Sequence, residues 1–167
     1  TEGPIWSFTT KPEFECGDSL LDERDGQVYG TVQIGNKCWM SENLNIGTRI
    51  NGANNQTNNQ IIEKYCYNDI EDSCDVYGGL YQWNEMMQYI TDTASQGICP
   101  SGWHIPTDFE WKVLEGTVDS QFPVGDPEWN GTGWRGYDAG NNLKSNYRWY
   151  IGGNGSDMYG FTDIPAG

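Results

Sequence analysis

The chain is short of positive charge and of long apolar runs. Nine Lys and Arg residues face 24 Asp and Glu residues, so the formal net charge is −15 at pH 7. Such a surface argues against nucleic acid and anionic membranes as partners, because both are bound by clustered Lys and Arg side chains. No run of about 18 apolar residues occurs, and we therefore expect no membrane-spanning segment.

Metal-binding and catalytic residues are also scarce. His104 is the only histidine and no Cys-x-x-Cys pair is present, which excludes a Cys/His zinc set. We expect His104 to be a packed side chain that bonds a backbone carbonyl, since catalysis would need a neighbouring nucleophile or acid. The carboxylates of residues 69–75 do not have EF-hand spacing. The sequence therefore predicts no metal site and no cofactor, although its acidity permits calcium or other cations.

Aliphatic side chains are few, whereas aromatic side chains are abundant. The 167 residues are enough for one domain, and they include eight Trp, ten Tyr and 22 Gly. We expect a core built largely from aromatic rings, with long polar loops between short elements.

Five cysteines indicate an oxidising compartment. An odd number leaves at least one thiol without a partner in this chain, and several pairings are possible. Proximity in sequence favours bridges between Cys16 and Cys38 and between Cys66 and Cys74, which leaves Cys99 over. A reactive role for Cys99 would need an electropositive environment, so we favour a structural half-cystine.

A β-hairpin is predicted near the start of the chain. Val28, Val32 and Ile34 share one face of an alternating segment. The pair Gly35-Asn36 fits a two-residue turn, after which residues 37–40 return as the second strand.

Two helices are predicted further along. The first covers residues 80–90, where Trp83, Met86, Met87 and Ile90 recur at helical spacing. The second covers residues 108–118. It follows a capping box of Thr107 and Glu110, and it carries Trp111, Leu114 and Val118 on one side.

The remaining segments give weaker signals. We interpret residues 1–15 as a linker or an edge strand, residues 47–60 as a surface loop and residues 69–75 as an acidic turn. Short strands are predicted at residues 65–67 and 159–164.

Residues 119–157 are rich in Gly, Asn, Asp and aromatic side chains, and long loops of this kind are usually functional. Aromatic faces stack on sugar rings, but the same rings are equally compatible with the core of an aliphatic-poor region. The candidate ligand-binding residues are Trp129, Trp134, Tyr137, Tyr147, Trp149 and Tyr150.

A series of short motifs runs in order through the chain, at residues 25–29, 32–35, 39–45, 65–68, 77–83, 99–107 and 160–162. This series resembles the Fibrobacter succinogenes major paralogous domain over about residues 16–167. The resemblance implies an α+β, C-type-lectin-like fold with two helices packed on a small antiparallel sheet, long irregular loops and disulfides. It also implies that a last strand with a cysteine, the expected partner of Cys99, is absent.

The resemblance further implies a secreted or lipid-anchored surface protein of a bacterium. It implies no enzymatic activity, since none is established for the family. We therefore expect residues 16–167 to form a C-terminally incomplete, extracellular binding or adhesion module whose ligand is a glycan or surface protein. The alternative is a structural subunit of a filament or surface assembly, in which an identical or other neighbouring chain completes the sheet. An enzyme related to the lectin-like sulfatase-maturing oxidases would need a second thiol, which is lacking.

Overall fold

The computed structural model describes residues 13–165. Its strands all lie between residues 20 and 64, and its helices follow them. The strands are β1 (Leu20–Leu21), β2 (Val28–Tyr29), β3 (Thr31–Ile34), β4 (Lys37–Met40), β5 (Thr48–Arg49) and β6 (Glu63–Lys64). The α-helices are α1 (Asp72–Tyr77), α2 (Trp83–Met86), α3 (Asp108–Val118) and α4 (Ala139–Leu143), and 3-10 turns lie at Tyr67–Asp69 and Pro127–Asn130.

The described strands form three separate two-stranded sheets. β1 and β2 are antiparallel, β3 and β4 are antiparallel, and β5 and β6 are parallel. The β3–β4 hairpin and its turn are confirmed, and Gly35 supplies the positive φ of +62° that such a turn requires. This part of the chain is therefore a small α+β structure with short sheets.

The face predicted to be shared by Val28, Val32 and Ile34 does not include Val28. This side chain is 56% exposed, whereas its neighbour Tyr29 is buried. The reason is that β2 pairs with β1 while β3 pairs with β4. The two strands therefore belong to different sheets, and the alternation of buried and exposed side chains does not continue through Gly30.

Helix α3 confirms the second predicted helix and its capping box. The Thr107 hydroxyl accepts the Glu110 backbone N–H at 3.2 Å, and the Glu110 carboxylate accepts the Thr107 N–H at 3.0 Å. Leu114 and Val118 are buried on its inner face. The helix thus begins and packs as its sequence predicts.

The core lies between α3, the β3–β4 hairpin and the segments that follow α3. Its buried members are Ile34, Trp39, Leu114, Val118, Trp129, Ala139 and Leu143, and Phe122, Tyr159 and Phe161 pack against them. Aromatic rings therefore provide much of this core, as the composition predicts.

The first predicted helix is wrong over most of its length. Only α2 is helical within residues 80–90, because Gln88 and Tyr89 adopt positive φ values and end it. Trp83 and Ile90, which were expected on the buried face, are 64% and 48% exposed. Glu85 is instead buried, and its carboxylate accepts the Glu63 backbone N–H and the Tyr89 hydroxyl.

Several minor predictions also need correction. The strands expected at residues 65–67 and 159–164 are reduced to single bridges, Tyr65 with Leu80 and Lys144 with Asp163. The acidic turn of residues 69–75 contains the start of α1, and the polar loop of residues 47–60 contains β5 and the buried Gln56. The interpretation of residues 1–15 falls largely outside the described residues.

The two expected disulfides are present, Cys16–Cys38 and Cys66–Cys74, and Cys99 is a free, buried thiol. Bridges of this kind are typical of proteins from oxidising compartments. No helix among residues 13–165 combines the length and apolar character needed to cross a bilayer.

The Thr107→Ala substitution tests the capping box. It removes the hydroxyl that accepts the Glu110 N–H, and we expect the free energy of unfolding to fall by about 1 kcal/mol. Urea unfolding measures the change, with Thr93→Ala as the control because Thr93 lies exposed outside the helices and strands. Equal effects of the two substitutions would contradict a stabilising cap.

Candidate functional site

A groove of about 910 Å³ opens beside the β3–β4 hairpin. Its walls come from β1, β4, the loop of residues 99–106 and the first turn of α3. We call it the aromatic groove, after the five rings that line it: Phe14, Trp39, Trp103, Trp111 and Phe161.

The rings form two contacting groups. Trp39 packs on Trp111 with ring centroids 5.3 Å apart, and Phe161 lies 6.0 Å and 6.5 Å from these two rings. Phe14 meets Trp103 edge-on at 6.1 Å. Trp111 keeps 39% of its surface exposed, so an aromatic face remains available to a ligand.

One polar atom of this lining lacks a partner. The Trp39 indole Nε1–H is buried and donates no hydrogen bond within residues 13–165. A buried donor without an acceptor is unfavourable, so this N–H costs the fold some free energy.

The rim of the groove carries a fixed set of charges around Glu110. Its carboxylate accepts from Lys37 Nζ at 2.9 Å, from His104 Nε2 at 3.0 Å and from the Thr107 N–H. Burial acts to raise the pKa of Glu110, but these hydrogen bonds outweigh it and lower the pKa to about 2. The carboxylate is therefore ionised at neutral pH.

His104 is positioned by Glu110 rather than by the backbone carbonyl expected from the sequence. An ionised carboxylate only accepts hydrogen bonds, so Nε2 of this imidazole carries a proton. The ring is thereby fixed next to Trp103 at the mouth of the groove.

Trp129, one of the six predicted ligand-binding residues, is a core residue. Its side chain is 2% exposed and its Nε1 donates to the Pro123 carbonyl. It therefore has no face to offer to a ligand, and the interpretation of these rings as core is correct for Trp129.

The other five predicted residues do not form one site. Trp149 is half-buried, with its Nε1 bonded to the Asp163 carbonyl and the Lys144 ammonium 5.1 Å from its ring. Among the described residues no ring-to-ring contact joins any of the five. The exposed members are Trp134, Tyr137, Tyr147 and Tyr150.

Tyr147 alone of these borders a second, smaller pocket of about 370 Å³. There the Arg148 guanidinium lies 5.7 Å from the Tyr77 ring and 5.6 Å from the Tyr147 ring. Arg148 also donates to the Val76 carbonyl, so this cation is held in place.

The loop that carries Tyr137 is organised by Asp119. Its carboxylate accepts backbone N–H groups of Gln121, Phe122, Tyr137, Asp138 and Ala139. Burial acts to raise the pKa of Asp119, but these N–H donors outweigh it and lower the pKa to about 2.

The structure gives no support to a metal site or to a reactive thiol among the described residues. No group of three or more His, Cys, Asp or Glu side chains suitable for a metal occurs within the described part of the chain. Cys99 lines the groove, but burial raises the pKa of its thiol to about 11, so it is protonated at neutral pH.

The groove was not predicted as a site, although the motifs contain its residues. Trp103, His104 and Trp111 belong to the stretch that holds the capping box. The sequence places Trp103 next to the single histidine, which is a possible signal of a site. It does not show that β4 brings Trp39 next to Trp111 in the groove.

Acid unfolding tests the Asp119 network. A carboxylate with a depressed folded-state pKa stabilises the fold above its unfolded pKa of about 3.9, and this stabilisation is lost as the pH falls towards 2. We expect Asp119→Asn to lower the free energy of unfolding at pH 7 and to flatten its decline between about pH 5 and 2. Urea unfolding across this range measures both effects.

Asp92→Asn is the control, because Asp92 is exposed and lies far from the network in sequence. A pH profile of Asp119→Asn that runs parallel to the profile of the unsubstituted chain would contradict the role of this carboxylate.

Three comparisons with known proteins place the chain. No curated protein and no solved structure is significantly similar to it. A family model, described as the Fibrobacter succinogenes major domain, matches residues 32–167. The match confirms the family named from the motifs, while the extension of the domain to Cys16 stays a prediction. It includes Trp39, Trp103 and Trp111 of the groove, and the chain therefore belongs to the Fibrobacter succinogenes major domain family.

Proposed function

We propose that this chain is a non-enzymatic binding or adhesion module of a bacterial surface or secreted protein, with a glycan or surface protein as ligand. The observation that carries the proposal is the aromatic groove, with the exposed ring faces of Trp111 and Phe14 and the fixed charges at its rim. Ligand sites commonly combine such an apolar lining with a few fixed polar groups.

The chemistry of the groove suits a glycan in particular. Sugar rings present apolar C–H faces that pack on indoles, and Trp103 and Trp111 offer such surfaces. Sugar hydroxyls both donate and accept, so they are able to bond the charged groups at the rim, Lys37 and Glu110 among them.

Two features support the proposed extracellular location and the proposed C-type-lectin-like fold. The two disulfides are expected of a chain exposed to an oxidising environment. Helix α3 packed on a small antiparallel hairpin, with long irregular segments around them, is compatible with a C-type-lectin-like arrangement.

The non-enzymatic part of the proposal rests on the state of the polar groups. Glu110 is ionised and is already bonded to Lys37, His104 and Thr107, so it has little capacity to exchange protons near neutral pH. The protonated Cys99 thiol is a poor nucleophile.

The alternative is a subunit of a filament or surface assembly. All four residues of β4 line the groove, and within residues 13–165 this strand pairs only with β3. A strand from a neighbouring chain could therefore extend the sheet along this edge.

A glycan-binding assay distinguishes the two candidates. Immobilised bacterial and host polysaccharides are probed with the unsubstituted chain and with Trp103→Ala and Trp111→Ala. We expect each substitution to weaken binding about tenfold or more, because each removes an aromatic contact. Trp134→Ala is the matched control, since Trp134 is fully exposed and does not line the groove.

Two results would overturn the glycan proposal. Binding lost in Trp134→Ala but retained in both groove variants would place the site in the exposed loops. Absence of binding to every polysaccharide, together with concentration-dependent assembly in sedimentation experiments that Trp103→Ala abolishes, would favour the assembly subunit.

A further inference from the structure

A second chemically notable pair lies away from the groove. The Lys64 ammonium nitrogen is 2.7 Å from Oδ1 of the Asn45 side chain and 2.6 Å from the Asn45 backbone oxygen. Asn45 is buried and Lys64 is half-buried. An amine and a carboxamide are thus held together in a partly buried environment.

The fold fixes this contact through the parallel β5–β6 pair. β5 begins three residues after Asn45, and its Arg49 lies opposite Lys64 in the register. The Ile50 N–H donates to the Lys64 carbonyl at 2.9 Å, which extends the pairing beyond the strand. Side-chain freedom at Lys64 is therefore already restricted, as an intramolecular reaction requires.

The surroundings also restrain Asn45. The Tyr29 hydroxyl oxygen accepts its backbone N–H at 3.0 Å, and the Gln27 side-chain amide donates to its backbone oxygen at 2.8 Å. Among the described residues none bonds Nδ2 of the carboxamide, so the nitrogen that would leave is not held.

We propose that Lys64 and Asn45 form an intramolecular isopeptide cross-link. The lone pair of the neutral Nζ attacks Cγ of Asn45, so that an Nζ–Cγ bond forms and the Cγ–Nδ2 bond breaks. One proton passes from Nζ to Nδ2, which departs as ammonia. The reaction involves no oxidation or reduction, and it needs no co-reactant.

One electrostatic feature favours this chemistry. Burial lowers the pKa of Lys64, with nearby carboxylates opposing the shift, so the neutral amine is more accessible than in a solvated lysine.

The cross-link would close the segment of residues 45–64, which holds β5 and the polar loop, into a covalent ring. Covalent closure restricts the unfolded chain in the way a disulfide does, without dependence on the redox state of the surroundings. It would thus complement the two disulfides of the chain. This inference stands independently of any ligand in the aromatic groove.

Mass spectrometry of the reduced, purified chain tests the proposal. We expect an intact mass lower by one ammonia, about 17 Da, than the sequence requires. Trypsin is expected to leave Lys64 uncut, so that the peptide of residues 38–49 is recovered joined to the peptide of residues 50–112.

Matched variants identify the origin of the mass loss. Lys64→Arg keeps the positive charge but lacks the amine, so it is expected to restore the full mass. Lys144→Arg is the control and is expected to keep the loss, because Lys144 donates to the Gly153 carbonyl instead. Asn-Gly pairs such as Asn51-Gly52 also lose ammonia as succinimides, but that loss would persist in Lys64→Arg.

The proposal is overturned by an unchanged intact mass, or by a loss that Lys64→Arg retains. Recovery of residues 38–49 and 50–64 as separate peptides from the unsubstituted chain would also overturn it. This measurement does not depend on the folding of any variant. The pair would then be an ammonium held by two carbonyl oxygens and nothing more.

Discussion

The carboxylate of Glu110 joins three parts of the chain that are distant in sequence. It caps the first turn of α3, accepts from Lys37 of β4 and holds His104 in the preceding loop. Each of these residues lies within two positions of a groove tryptophan: Lys37 of Trp39, His104 of Trp103 and Glu110 of Trp111. The arrangement of the aromatic groove therefore depends on one shared acceptor, whose low pKa reflects the donors gathered around it.

Buried polar groups perform much of the work that regular secondary structure performs elsewhere. Asp119 gathers five backbone N–H groups from two separate stretches, and Glu85 bonds the β6 backbone and a tyrosine hydroxyl. Glu85 is buried and Asp119 is half-buried, and carboxylates withdrawn from water in this way are tolerated only when their hydrogen bonds are satisfied. They hold long irregular segments in one conformation, which explains how a chain with few and short strands presents a defined groove.

The shortage of aliphatic residues has a second consequence. Tryptophan fills the core at Trp129, lines a groove at Trp39 and Trp111, and stands fully exposed at Trp134. The same residue type thus serves three purposes in one domain. Composition predicts an aromatic core correctly, but it does not distinguish a core ring from a binding ring, because both have similar neighbours in sequence.

The sequence alone determined the features that depend on interactions between residues near one another in the chain. The capping box, the Gly35-Asn36 turn, the two short-range disulfides and the α3 face were all predictable, because each depends on residues close in sequence. The motifs likewise determined the family. Only the tertiary structure decided the end of α2, the burial of Trp129 and Glu85, the groove, and the meeting of Asn45 with Lys64. These features arise from contacts between distant segments, and the energy of such contacts has no counterpart in the periodicity of a single stretch of sequence.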